Sequence, residues 1–338
     1  MPNFSIGVDL GGTNLRIAAI DEQGNLIEKV GLKTRASMGR DYVIHEMCDA
    51  IRRLTSQHEP AGQLLGIGIG VPGIIDLRTG FLRECPNLPG WSDTPVQEEV
   101  ERTLGVKVVL ENDANAAALG EKWLGAARHV QDLAIFTLGT GVGGGLMLDG
   151  KIWHGMTGMA GEFGHMTIDK EGIPCSCGSR GCLEQYASAN AIMRMAAEAI
   201  DSGAAPRLSE ASRSEPEFSP KNVHDLATQG DEEARKIFRQ VGRSLGMAVS
   251  DLINVLNLPM YIIGGGISSA WESFAPYLFE ELRLRSAVYT ATATPVVPEP
   301  TGALMESEQG TKTIVTRALL GSEAGLYGAA RLPVVTAS

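Results

Sequence analysis

Between residues 162 and 184 the chain gathers a dense set of groups that bind metals and accept hydrogen bonds: Glu162 and His165, then Cys175 and Cys177, then Cys182 and Glu184. Three thiols and an imidazole in so short a span supply four soft or borderline ligands, the donor set that a tetrahedral Zn²⁺ ion prefers. Glycines at 164, 172, 178 and 181 would let a short loop fold round the ion. With four protein ligands no position stays open for water or substrate, so zinc here reads as a structural clasp rather than a catalyst. It would fix the positions of Glu162, His165 and Glu184. The competing reading is free or redox thiols, or a disulfide with one thiol left over. Against it, Cys-x-Cys spacing resists the geometry of a bridge.

Two glycine-rich loops offer a second chemistry. Asp9-Leu10-Gly11-Gly12-Thr13-Asn14 joins two apolar, strand-like stretches, and so does Gly139-Thr140-Gly141-Val142-Gly143. Glycines in a dinucleotide fold or a Walker loop open a helix, whereas these connect strands. Such a loop can still aim backbone N–H groups and the Thr13 hydroxyl at phosphate oxygens, while Asp9 holds Mg²⁺ directly or through water. A plain hairpin turn is the alternative for a Gly-Gly pair. A third cluster, Gly264 to Gly266, follows an apolar strand and precedes a helix expected to be capped by Ser268 or Ser269. Asp113 opens an alanine-rich helix that reaches Trp123, where a carboxylate is stabilised in its charged form. It is either a functional group or an ordinary N-cap.

The elements that must position these groups alternate strand and helix. Strands are expected over 5–8, 64–71, 106–110 and 133–138, and helices over 41–58 and 231–256, each with an apolar stripe. Thr94-Pro95-Val96-Gln97 predicts another helix start, with Thr94 as cap, Pro95 in first position and Gln97 closing a capping box. The pattern strand, glycine loop, strand, turn occurs twice, and at 338 residues the chain is long enough for two domains. An internal duplication follows, with two phosphate loops facing a cleft. The expected division is 1–115 plus 320–338 for a small domain with the first loop, and 116–319 for a larger one with the second loop and the zinc site. Stretches 202–220 and 290–311 read as solvated surface excursions, with lids as the alternative, and 319–331 as a terminal helix.

Bulk properties exclude several classes. The net charge is −11, from 40 acidic and 29 basic residues, and no dense Lys/Arg cluster offers a face to nucleic acid. The apolar fraction of 43% suits a globular protein, and no apolar run approaches the length of a bilayer span. The N-terminus has no basic region of the kind that precedes an export signal, so cytoplasmic residence with reduced thiols is the expectation.

Taken together, Cys175-x-Cys177-Gly178-x-x-Gly181-Cys182-x-Glu184, the preceding Glu162-x-x-His165, Asp9-x-Gly11-Gly12-Thr13 and Asn112-Asp113 resemble the ROK group of sugar kinases and sugar-responsive repressors. The likeness runs from residue 5 to about 330. Its cysteine signature is specific, whereas the glycine loops alone are not. The runs from Gly181 to Ser188 and from Cys85 to Trp91 are most similar to the glucokinase branch. The resemblance implies an actin-like, RNase-H-type two-domain α/β fold with an internal duplication and a central cleft. It implies ATP-dependent phosphorylation of a hexose hydroxyl, glucose to glucose 6-phosphate, with N-acetylmannosamine, N-acetylglucosamine, fructose or allose as alternative acceptors.

Residue by residue, the resemblance makes Asp113 the catalytic base. It places Asn112, Glu162, His165 and Glu184 on the sugar hydroxyls, with Asn87 near the same pocket. Asp9, Gly11, Gly12, Thr13, Asn14, Gly139, Thr140, Gly141 and Gly143 would hold the ATP phosphates and Mg²⁺, with Gly265 and Gly266 near the adenosine. His165 would give one ring nitrogen to zinc and the other to the sugar. A homodimer is implied as well. The loops at 202–220 and 290–311 are longer than usual for the group, so no roles carry over there. A repressor would place a helix-turn-helix ahead of the sugar domain, whereas the first strand here begins by Ser5 with nothing basic before it. A non-catalytic actin-like ATPase is the remaining rival, against which a zinc-clasped polar pocket argues.

Overall fold

The computed structural model describes residues 2–60, 62–85, 88–293 and 312–336. Five strands form the first sheet, β1 (Phe4–Leu10), β2 (Asn14–Asp21), β3 (Leu26–Lys33), β4 (Leu64–Val71) and β7 (Val108–Asn112), in the order β3-β2-β1-β4-β7. The first three are antiparallel, and β4 and β7 join parallel to β1. A small ribbon, β5 (Ile74–Asp76) and β6 (Phe81–Glu84), stands apart. The second sheet repeats the order as β10-β9-β8-β11-β12, with β8 (Leu133–Leu138), β9 (Val142–Leu148), β10 (Lys151–Ile152), β11 (Met260–Gly264) and β12 (Ile314–Arg317). The duplication expected from the paired glycine loops is therefore present in the strand order. Asp149 and Gly150 make the β9–β10 turn with positive φ at both residues, as a two-residue hairpin requires.

Alternation along β1 decides what packs on each face. Phe4, Ile6, Val8 and Leu10 join a buried core with Val43, Met47, Ile51 and Leu54 of α1 (Arg40–His58) and Val96 and Val100 of α2 (Val96–Leu104). The opposite residues are small because a helix backbone lies directly on them. A side chain at Gly68 of β4 would overlap the carbonyl of Ala329 in the last helix, α11 (Ala324–Thr336), counting the helices below in chain order. Close packing also joins α11 to α3 (Asp113–Trp123), where a Cβ at Gly328 would overlap the Ala116 carbonyl.

Further along lie α4 (Glu184–Ala187), α5 (Ala189–Asp201), α6 (Pro206–Ser214), α7 (Pro220–Thr228), α8 (Glu232–Leu256), α9 (Trp271–Arg285) and α10 (Ala287–Thr292). On α8 the stripe Ile237, Phe238, Val241, Leu245, Val249 and Ile253 is buried, and the helix packs along α9. Among the described residues no helix is long and apolar enough to cross a membrane.

Two compact units emerge: Met1–Ile135 with Gly145–Gly161 and Ser322–Ser338, and Phe136–Gly144 with Glu162–Gly321. The boundary expected at 115 falls inside α3, which stays whole in the first unit because its small residues pack on α11.

Several local expectations are corrected. Thr94 does not cap α2: its hydroxyl donates to the Trp91 carbonyl at 2.5 Å, Pro95 is the cap residue, and the Gln97 amide turns to the Val108 carbonyl at 3.2 Å. Stretch 202–220 is not simply a loop, because it contains α6, with Pro206 in the first turn and Leu208 buried. Ser268 and Ser269 donate to the carbonyls of Gly265 and Gly266 instead of capping α9, which starts at Trp271 without a side-chain cap. The terminal helix runs 324–336 rather than 319–331. β7 runs to Asn112, two residues past its expected end, after Gly105 closes α2 in the left-handed region. Of the stretch 290–311, residues 294–311 lie outside the described residues.

Candidate functional site

His165 ends a single 3₁₀ turn, Phe163–His165, pinned by Phe163 against Phe136 with ring centroids 5.0 Å apart. Its Nδ1 lies 3.8 Å from Cys175 Sγ, and Cys177 Sγ lies 3.7 Å from Cys182 Sγ. Ligand atoms of all four residues fall within 4.8 Å of one another. A disulfide would bring two sulfurs to about 2.05 Å, so none is formed between Cys177 and Cys182. Thiolates about 2.3 Å from a tetrahedral zinc stand about 3.8 Å apart, so the four groups fit that ion. Burial pushes the Cys175 thiol up, but hydrogen bonds from Cys177, Cys182 and His165 outweigh it and bring the group to about 7. Burial, and then the neighbouring Cys177 and Cys175, push the Cys182 thiol up to about 12.

On the other side of the ring, His165 Nε2 faces Glu162 Oε2 at 3.9 Å, too long for a hydrogen bond. So the imidazole stands between the cysteine cluster and a carboxylate. Glu184 begins α4, two residues after Cys182 in sequence, and its Oε2 accepts from the Val142 N–H at 2.9 Å. A Cβ on Gly141 would overlap that same oxygen, so the glycine lets the second loop sit against Glu184. The loop closes on itself through Gly139 N–H to the Gly141 carbonyl at 2.9 Å, and the Gly139 carbonyl accepts from Ala189 N–H at the start of α5. Gly265, at φ 80°, packs its backbone against Leu138, so the third glycine cluster adjoins the end of β8, from which Gly139 and Thr140 follow.

The first loop lies in the other unit. Gly11 N–H donates to the Asn14 carbonyl at 2.9 Å, and the Thr34 hydroxyl donates to the Gly11 carbonyl at 2.6 Å. Asp9 pairs in register with Arg16 on β2, whose guanidinium reaches its Oδ2 at 3.0 Å and Glu323 Oε1 at 3.3 Å. Burial pushes the Asp9 pKa up; Arg16 opposes this and Glu323 adds to it. One carboxylate beside a glycine loop is the protein's usual share in holding a magnesium ion whose other ligands are phosphates and water, so Asp9 fits Mg²⁺.

Asn112 and Asp113 form a strand-to-helix elbow. The cap of α3 is Asn112, not Asp113: its side-chain oxygen accepts from Ala114 N–H at 2.9 Å and Asn115 N–H at 3.2 Å, and its amide donates to the Gly73 carbonyl at 3.1 Å. Asp113 is thereby placed in the first turn, its Oδ1 accepting from Ala114 N–H at 2.8 Å. Asn87 lies outside the described residues. Sequence reasoning missed Glu111 and His154. The carboxylate of Glu111 is buried under the elbow, and His154 Nε2 lies 2.7 Å from its Oε2. The signal available was a charged residue inside the last two positions of an otherwise apolar strand.

The chain is 37% identical to a glucokinase of Thermotoga maritima over 98% of both proteins. It is 38% identical to a glucokinase of Halalkalibacterium halodurans over 79% of this chain and 82% of that one. Its structure resembles that of a ROK family glucokinase from Streptomyces griseus in complex with glucose and AMPPNP, with TM-score 0.77, 33% identity, and coverage of 98% of this chain and 99% of that one. The architecture is accordingly the actin-like α/β fold of ROK sugar kinases. With the ROK family model matching residues 5–334 and the cysteine cluster, glycine loops and doubled sheet order in place, the chain belongs to the ROK family.

Proposed function

We propose that this chain transfers the terminal phosphoryl group of ATP to a hexose hydroxyl, with glucose as acceptor and glucose 6-phosphate as product. The observation that carries the reading is the His165 ring, with one nitrogen toward the cysteine cluster and the other toward Glu162, in a chain with full-length likeness to a glucokinase. Phosphoryl transfer depends on positioning and charge stabilisation more than on covalent help. In this proposal Glu162, His165 and Glu184 hydrogen-bond the sugar hydroxyls. Asn112 contributes through its amide, since its side-chain oxygen is committed to the helix cap. Asn87 joins the same set.

Asp113 takes the hydroxyl proton as the bond to phosphorus forms. Backbone amides of Gly12, Thr13 and Asn14 and of Thr140, Gly141 and Gly143 hold the phosphates, while the Gly11 and Gly139 N–H groups close the two loops, and Gly265 and Gly266 lie near the adenosine. Mg²⁺, when bound, neutralises charge on the transferring group, and Asp9 is the residue that would hold it. The four-residue cage would hold zinc as a clasp, keeping His165 and Glu184 in place for the sugar. Each buried group left unpaired by a wrong epimer costs about 1–3 kcal/mol, which is how such a site selects its acceptor.

A panel of glucose, N-acetylmannosamine, N-acetylglucosamine, fructose and allose with ATP and Mg²⁺, followed by coupled ADP release, tests the acceptor. Glucose should give the highest kcat/KM. A higher value for another sugar would move the acceptor, and ADP release from none would return the chain to the regulators of its family. Cytoplasmic residence, where thiols stay reduced, belongs to the same proposal. So does a homodimer, on family resemblance; light scattering on the eluted protein would remove it by giving a monomer mass.

A further inference from the structure

Glu111 and His154 form a pair that neither the sugar nor the nucleotide assignments use. Glu111 is 4% exposed. Its Oε1 accepts from Asn112 N–H at 2.9 Å and from Asn115 Nδ2 at 3.0 Å, and its Oε2 lies 2.7 Å from His154 Nε2. A carboxylate this deeply buried is tolerated where donors meet its lone pairs. Here the donors come from both sides of the elbow and from a distant turn of the chain. Two of the bonds grip the residues that flank Asp113, and Asn112 in turn caps α3 and bonds the Gly73 carbonyl. The third bond fixes the carboxylate plane.

His154 is itself well anchored. The residue before it donates its N–H to the Leu146 carbonyl at 2.8 Å, and the His154 carbonyl accepts from Ala160 N–H at 3.2 Å, closing the root of the loop that leads on to Glu162. The main chain that carries the ring is therefore held, the ring meets Glu111 through Nε2, and Glu111 cannot turn without breaking its bonds to Asn112 and Asn115.

We propose that His154 is a positioning residue for phosphoryl transfer: by donating from Nε2 to the buried Glu111 carboxylate it sets the orientation of the elbow that carries Asp113. The inference rests on the reading of Asp113 as base. Misplacing a reacting group by about 1 Å costs about 100-fold in rate, so a bond that fixes the elbow acts on kcat while leaving nucleotide binding alone.

The test compares His154→Phe, which removes the donor, with His154→Gln, which offers an amide N–H near the same place. Both are made in the full chain and read by kcat, by KM for ATP and by amide hydrogen exchange at Asn112 and Ala114. In His154→Phe, kcat should fall about 10- to 100-fold with KM for ATP within about 2-fold, and the two amides should exchange faster. His154→Gln should recover the larger part of both losses. Unchanged exchange in His154→Phe, or a His154→Gln variant as slow as His154→Phe, overturns the proposal. If His154→Phe does not fold, His154→Ala is judged by the same criteria. Full turnover in Asp113→Asn would instead overturn the base assignment and with it the catalytic half of this proposal, a result distinct from normal exchange at the elbow.

Discussion

Carboxylates of one type take different roles here because their surroundings differ. Asp113 stands in the first turn of α3, its Oδ1 accepting from the Ala114 N–H. Glu184 is oriented by the Val142 N–H, which donates to its Oε2. Asp9 is pushed toward its protonated form by burial, with Arg16 opposing and Glu323 reinforcing the shift. A divalent cation binds only the ionised carboxylate, so Mg²⁺ affinity should weaken as pH falls through the raised Asp9 pKa. Titrating Mg²⁺ against ADP release at a series of pH values checks this. Asp9→Asn should raise the Mg²⁺ requirement and flatten its pH dependence, and a pH profile identical to that of the parent would detach Asp9 from the metal.

At the scale of elements, backbone proximity decides what can be replaced. Gly328→Ala places a methyl group on the Ala116 carbonyl where α11 crosses α3, an overpacking that should cost about 1–3 kcal/mol. A thermal melt should show a lower Tm, and a Tm equal to the parent's would mean that the two helices separate freely. Gly141→Ala should act differently, since the added carbon presses on Glu184 rather than on a core. The sugar KM should rise at least several-fold with little change in Tm.

What could be read in advance follows the same physics. Strands, the long α8 and the doubled pattern were legible because apolar periodicity is local. The glycines of β4 suggested close packing, but not that α11 is the partner, because nothing in residues 64–71 refers to residues 324–336. Thr94 and Asn112 show the limit most sharply. Both are good cap residues, but β7 runs on to Asn112 and puts it at a helix start, while pairing with Leu82 of β6 holds Thr94, whose hydroxyl donates to Trp91. The grouping of His165, Cys175, Cys177 and Cys182 was legible because the four lie within one short stretch of chain. His154 was not, because its partner Glu111 is 43 residues away in the chain.

For the molecule as a whole, the cysteine cage with zinc bound would substitute for a hydrophobic core in the loop that carries it. A chelator that strips zinc, or Cys175→Ser, should therefore lower Tm and raise the KM for the sugar together, while the KM for ATP changes little. Metal content by atomic absorption, measured on the same samples, ties the two effects to the ion. A metal-free sample with the parent's Tm and sugar KM would remove the clasp. The sheets repeat one strand order, and each carries a glycine loop after its first strand. That repeat leaves Asp9 and Asp113 on the first unit and Glu162, His165 and Glu184 on the second.

Glucose 6-phosphate formation by the parent and by Asp113→Asn, at saturating glucose, ATP and Mg²⁺ and with glucose binding to both proteins verified by calorimetry, addresses the chemistry most directly. The parent should turn over and the variant should bind glucose yet lose about 100-fold or more in kcat, the usual scale of a general base. A variant that binds glucose and still forms product at the parent's rate would contradict the assignment of Asp113 as the group that takes the sugar's proton.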